Sequence, residues 1–139
     1  MDRILERGGG FKKYCFKCEA FDTLTIDYKG FKTLTYKNID RLNTVETDLY
    51  IVDGPFGSPR YSRPQIINIV QRGLKDRFCI FIDDTERQGE KDTVKEICEI
   101  LQNSSIKYCI REYFGEEKYH TVICSDDLKF LTSLRWIKP

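Results

Sequence analysis

The sequence predicts an α/β fold built on a sheet that begins parallel and ends with an antiparallel strand. Three observations carry this. Two continuous apolar runs, Asp48-Leu49-Tyr50-Ile51-Val52-Asp53 and Phe78-Cys79-Ile80-Phe81-Ile82-Asp83-Asp84, each end in aspartate. Each is followed by apolar residues at helical spacing. Two strand-like segments separated by a very short link come last. Strand, helix, strand, helix and hairpin, in that order, give a mixed sheet with helices packed against it.

The elements follow in order. Residues 1–12 are polar, contain Gly8-Gly9-Gly10, and read as a flexible lead-in. Residues 14–45 read as an N-terminal β segment. Within it, Leu24-Thr25-Ile26-Asp27-Tyr28 and Phe31-Lys32-Thr33-Leu34-Thr35-Tyr36 flank Lys29-Gly30, which predicts a β-hairpin. The run at 48–53 is continuous rather than alternating, which suits a strand buried on both faces. Gly54-Pro55-Phe56-Gly57-Ser58-Pro59 forces a loop. Ser62-Arg63-Pro64-Gln65 opens a helix, with Ser62 placed to cap it and Pro64 tolerated in its first turn. Ile66, Ile67, Ile69, Val70 and Leu74 share one face. After the second strand, a polar loop from Thr85 to Gly89 leads to a helix whose buried face is Val94, Ile97, Cys98 and Leu101. Residues 106–114 and 119–124 are joined across Gly115-Glu116-Glu117, too short a link for anything but antiparallel pairing. Leu128, Leu131 and Leu134 predict a short closing helix capped by Ser125 or Asp126.

The length of 139 residues fits one domain, with residues 46–139 holding its α/β part. Lys and Arg (23) nearly balance Asp and Glu (22), so nothing in the charge points to nucleic acid or an anionic membrane as partner. No apolar run approaches the roughly 18 residues of a membrane span. The first residues lack a secretory apolar core, and the cytoplasm is the expected compartment. Cys79, Cys98, Cys109 and Cys124 lie in apolar stretches, as small buried hydrophobes do. Cys15 and Cys18 form a C-x-x-C pair. Zinc would need a second pair, and a redox motif would need a helix after the first; neither pattern is present. A structural or incidental role is expected for them, with metal or redox chemistry as the alternative.

Both parallel strands carry acids at their carboxyl ends, the functional edge of such sheets. Neighbouring strand ends lie about 5 Å apart, so Asp53, Asp83 and Asp84 would repel one another. Mg²⁺, a hard cation with a preference for oxygen ligands, would relieve that repulsion and could acidify a substrate hydroxyl. The alternative is structural: aspartate caps free backbone N–H groups where strands end, and Arg60, Arg63 or Arg87 could neutralise the acids. Those three arginines could equally clamp an anionic substrate or stay solvated. His120 is the single histidine. Its chemistry suits a general base, but its place beside Val122 and Cys124 at the start of the last strand favours a structural role. Tyr14, Tyr28, Phe31, Tyr36, Tyr50, Phe56 and Tyr61 gather aromatics in the first half, for sheet packing or an oligomer interface.

Asp48-Leu49-Tyr50-Ile51-Val52-Asp53-Gly54-Pro55 resembles the fourth strand of the class I S-adenosylmethionine-dependent methyltransferases. Phe81-Ile82-Asp83-Asp84-Thr85-Glu86-Arg87 resembles the end of their fifth strand, and the closing hairpin and helix resemble their sixth and seventh strands. The resemblance spans roughly residues 45–125 and implies a truncated Rossmann-like methyltransferase sheet. In the catechol-type branch, an Asp ending the fourth strand and an Asp-Asn pair ending the fifth hold a divalent metal. Asp53, Asp83 and Asp84 match those positions, with Asp84 in place of Asn, which implies catalytic and Mg²⁺-binding roles for all three. That family binds its donor mainly on the first two strands and a glycine-rich loop, and no such block precedes Asp48. Gly8-Gly9-Gly10 follows no apolar strand.

In the family the fourth strand pairs with the first. Here the run at 48–53 should expose an apolar edge. Residues 14–36 could fold back to cover it, or a second copy or partner chain could do so. Two functions are expected from these readings. One is a methyltransferase-like domain acting on a small-molecule hydroxyl of a sugar or phenol, with Arg63 and Arg87 holding an anionic group. The other is a non-catalytic binding or assembly module that has kept the stable half of the fold.

Overall fold

The computed structural model describes residues 21–38, 47–115 and 117–134. The glycine run, Tyr14, Cys15 and Cys18 lie outside the described residues. β1 (Thr23–Tyr28) and β2 (Phe31–Tyr36) form the expected hairpin, with Tyr28 opposite Phe31. Its two turn residues, Lys29 and Gly30, both have positive φ, the geometry that matches strand twist in a tight hairpin. The Asp27 carboxylate accepts the Gly30 N–H at 3.0 Å and closes the turn.

β3 (Leu49–Val52), α1 (Gln65–Arg72), β4 (Cys79–Ile82), α2 (Gln88–Asn103), β5 (Tyr108–Gly115) and β6 (Lys118–Ser125) follow, then a 3₁₀ helix at Asp126–Thr132. The strand order is β3-β4-β6-β5. β3 and β4 are parallel, and β6 runs antiparallel to both β4 and β5. The mixed sheet is therefore the one the sequence predicts. Both helices pack on one face, where Val52, Ile66, Ile67, Val70, Phe78, Ile80, Ile82, Ile97, Leu101 and Ile123 form the main core. Alternation along β4 and β6 sends Cys79, Val122 and Cys124 to the other face, where they meet Leu128.

Four expectations need correction. First, the β1–β2 hairpin does not pair with β3. It forms its own two-stranded sheet, and β4 is the single strand partner of β3 among the described residues. The hairpin docks instead on the loop after β3 and on α2. The Thr33 hydroxyl donates to Tyr61 O (2.9 Å), the Leu34 N–H donates to Ser58 Oγ (3.0 Å), and the Tyr28 hydroxyl donates to Glu96 (2.8 Å). Second, β3 is buried on one face only, with Leu49 and Ile51 at 52% and 68% exposure. Third, Ser62 does not cap α1; Pro64 holds the cap position. Ser62 is turned into the loop, where its hydroxyl accepts from the Ser58 N–H and donates to the Ser58 carbonyl. Fourth, the closing helix is a 3₁₀ helix that ends before Leu134, which is exposed, and its Ser125 hydroxyl makes no cap bond. That hydroxyl instead meets the backbone of Phe78.

Gly89 marks where α2 seats on this loop. Its carbonyl accepts from the Ser62 N–H at 3.0 Å, and a Cβ here would overlap the Ser58 carbonyl oxygen and the Ser62 hydroxyl. In a free helix, alanine is favoured over glycine by about 1 kcal/mol. Here Gly89→Ala is expected to lower stability by about 1–3 kcal/mol, the usual cost of overpacking. Urea unfolding measures it. A variant as stable as the parent would show that α2 does not sit against Ser58.

Candidate functional site

The carboxyl ends of β3 and β4 bring together most of the charged residues singled out above. The Arg63 guanidinium lies at their centre and is 3% exposed. It donates to the carbonyls of Val52 (3.0 Å), Asp83 (2.9 Å) and Pro55 (3.4 Å), and to the Asp84 carboxylate (2.9 Å). One side chain thus ties the end of β3, the end of β4 and the loop between them. Such a planar fork of donors suits several acceptors at once. Arg63 and Asp84 both have left-handed backbone, with φ of 58° and 61°. That conformation costs of order 1 kcal/mol or more outside glycine and persists where surrounding contacts enforce it.

Asp84 is the most heavily paired acid. Besides Arg63, it meets Arg87 at 3.0 Å and Lys118 at 2.9 Å. Asp83 meets Lys118 at 3.3 Å and His120 Nδ1 at 2.6 Å. Asp53 is mostly exposed and stands 3.8 Å from Arg63. Glu90, 1% exposed, approaches Arg63 Nε at 3.8 Å. Arg60 is placed elsewhere: it pairs with Asp92 through both Nε and Nη2 and stacks on Phe31, at the hairpin–α2 junction. A cavity of about 430 Å³ opens beside the cluster, lined by Asp53, Arg63, Asp84, Arg87, Tyr36 and Phe56. The hairpin supplies Tyr36, whose hydroxyl fills the space a side chain at Gly54 would take.

Lys118 and His120 were not placed at this site by sequence reasoning. The signal was the antiparallel pairing itself: Ile82 lies opposite Thr121, so the residues that begin β6 must stand beside those that follow β4.

Burial raises the carboxyl pKa of Asp84, but bonding from Lys118 and Arg63 outweighs it and holds the group below its ordinary value. Asp83 is likewise pushed up by burial and pulled lower overall by the Asp84 backbone and Lys118. Burial dominates at Glu90, whose pKa is raised. Lys118 is raised by its bonds to Asp84 and Asp83.

Ligand oxygens of Asp53, Asp83 and Asp84 lie within 4.8 Å of one another, the spacing a divalent cation could bridge. The cations already seated there weigh against one. Asp53, Asp83 and Asp84 face Arg63, Arg87 and Lys118, although Glu90 and Glu86 also approach the two arginines. A hard dication would have to compete for oxygens already held by these donors. The resemblance puts the methyl donor on strands beyond β3, and no described strand lies there. Compared with known proteins, the chain matches no family model, no curated protein and no solved structure.

Asp84→Asn leaves Arg63 buried without its main counter-charge and is expected to cost about 3–5 kcal/mol near neutral pH. The acid limb should change too. Asp83 and Asp84 have folded pKa values below the unfolded range of about 4, so their stabilisation is present above that range and is lost as pH falls through the folded values. Glu90 is raised and acts in the opposite sense, losing its contribution as pH rises through its folded value. The aspartates outnumber it, so the parent should weaken on acidification and Asp84→Asn should weaken less steeply. Urea midpoints at about pH 3 and pH 6 test this. Identical slopes would mean that Asp84 is not held ionised by the cluster.

Proposed function

We propose that this chain is an assembly module, built on the second half of a Rossmann-like methyltransferase sheet and non-catalytic by itself, that joins a second copy through the free edge of β3. The observation that carries the reading is the contrast between the two edges of the sheet. The carbonyls of Asp48 and Val52 accept from Cys79 and Asp83 on the β4 side. Backbone groups alternate along a strand, so Leu49 and Ile51 turn theirs outward. Their side chains are exposed, and Leu49–Val52 carries no charge. β5, the other edge, sets exposed Arg111 and Glu112 among exposed Ile110 and Phe114. Charges of that kind are how natural sheets guard an edge, and an unguarded apolar edge is a template for pairing.

Support for the methyltransferase ancestry is the β3-α1-β4-α2 order with acids at both strand ends and a returning antiparallel β6. The reading as an active O-methyltransferase has one observation in its favour, the convergence of Asp53, Asp83 and Asp84. The cations that occupy those acids weigh against it and favour a module whose carboxyl edge is structural.

Sedimentation velocity at micromolar concentration tests the proposal. The chain of 16.4 kDa is expected to sediment as a dimer. Ile51→Lys places a charge on the pairing edge at an exposed position, so it should leave the fold intact and yield the monomer. A monomeric parent, or a dimer unchanged by Ile51→Lys, would overturn it.

A further inference from the structure

The outward backbone groups of β3 are not equivalent. Nothing among the described residues meets those of Ile51. Those of Leu49 are taken by the side chain two residues before it. The Thr47 hydroxyl accepts from the Leu49 N–H at 3.3 Å and donates to the Leu49 carbonyl at 3.1 Å. The N–H and C=O of one strand residue point the same way. A hydroxyl between them stands where a neighbouring strand would place its own pair of groups. Serine and threonine side chains compete with sheet pairing in this manner. Thr47 thus closes one half of an edge whose other half is open.

The residues of the edge also restrict how a second copy can meet it. An antiparallel pair about a dyad at Tyr50 sets Leu49 of each copy opposite Ile51 of the other. Both residues with outward groups are then hydrogen-bonded in both copies, and none is left over. The same register sets Asp48 opposite Val52 and Asp53 opposite Thr47. A parallel pair in register would set Asp48 opposite Asp48 and Asp53 opposite Asp53, and like charges directly opposite one another destabilise a sheet. The antiparallel contact is isologous and closes at two copies. So short a strand offers few hydrogen bonds, and the bonds that Thr47 gives up weigh heavily against them.

We propose that two copies pair antiparallel about Tyr50, and that the Thr47 hydroxyl restrains the pairing by holding the Leu49 groups until a second copy displaces it. The inference rests on the edge pairing proposed above and adds its register and its control. Leu49 and Ile51 also line a groove of about 1160 Å³ on the sheet face away from α1 and α2. Residues of equal parity lie opposite in this register, so the two grooves come side by side on one face. Tyr50, on the dyad, is a non-hydrogen-bonded pair with its counterpart, about 4.5 Å between Cα atoms.

Sedimentation velocity over a dilution series, with Thr47→Val and Thr47→Ser beside the parent, tests it. Valine keeps the branched shape without the hydroxyl, so Thr47→Val is expected to dimerise about tenfold more tightly. Serine keeps the hydroxyl and should match the parent. Tyr50→Cys treated with diamide is expected to give a dimer linked through position 50, located by peptide mapping of the unreduced protein. Circular dichroism confirms that the variants are folded. A dimer that Ile51→Lys breaks but Thr47→Val does not tighten would overturn the restraint and leave the edge pairing standing. A link formed by Leu49→Cys in place of Tyr50→Cys would overturn the register. A chain that stays monomeric both as the parent and as Thr47→Val would overturn this inference together with the proposed function.

Discussion

The buried guanidinium of Arg63 is the interaction on which the rest of the carboxyl edge depends. It reaches the last carbonyl of β3, a carbonyl at the end of β4, the Pro55 carbonyl of the intervening loop and the Asp84 carboxylate. Burying a charge costs several kcal/mol unless it is paired and bonded. That cost is offset here by Asp84, which is itself shared with Arg87 and Lys118. Left-handed backbone at Arg63 and Asp84 is the local strain that the pairing holds in place. The loop therefore has a fixed path, and that path creates the seat for the N-terminal hairpin and for the start of α2.

From this arrangement follows the division of the molecule into a closed side and an open side. The loop draws the hairpin towards Ser58, Tyr61 and Glu96 and so away from β3. Among the described residues the outer edge of β3 has no strand partner, and the sheet face under Phe81 and Val122 keeps a groove. The residues that look most catalytic in the sequence are the ones most committed to holding the structure. Among the described residues, an apolar edge and an apolar groove stay accessible.

Much of the fold was legible in the residues. Continuous apolar runs identified β3 and β4, and helical spacing identified α1 and α2. The three-residue link at 115–117 forced β5 and β6 to pair. What composition could not convey was burial by faces: Leu49-Tyr50-Ile51-Val52 reads as a strand covered on both sides, yet only Tyr50 and Val52 meet the helices. Ser62 has the chemistry of a cap, but a left-handed residue at Arg63 separates it from the helix and frees its hydroxyl for Ser58. The acids and two of the arginines were visible as a cluster in the making. Arg60 was indistinguishable from them in sequence, because its partner Asp92 lies on α2, more than thirty residues away. His120 was visible, but its contact with Asp83 depends on the register of β6 against β4.

In the proposed reading the carboxyl edge is a structural network of ion pairs around Arg63 and Asp84 and holds neither a methyl donor nor a metal. Isothermal titration with S-adenosylmethionine, with and without Mg²⁺, tests this most directly, on protein shown to be folded by circular dichroism. No binding heat is expected under either condition. Micromolar binding that strengthens when Mg²⁺ is added would overturn this reading, because Asp53, Asp83 and Asp84 would then be free of Arg63, Arg87 and Lys118 and able to hold a cation.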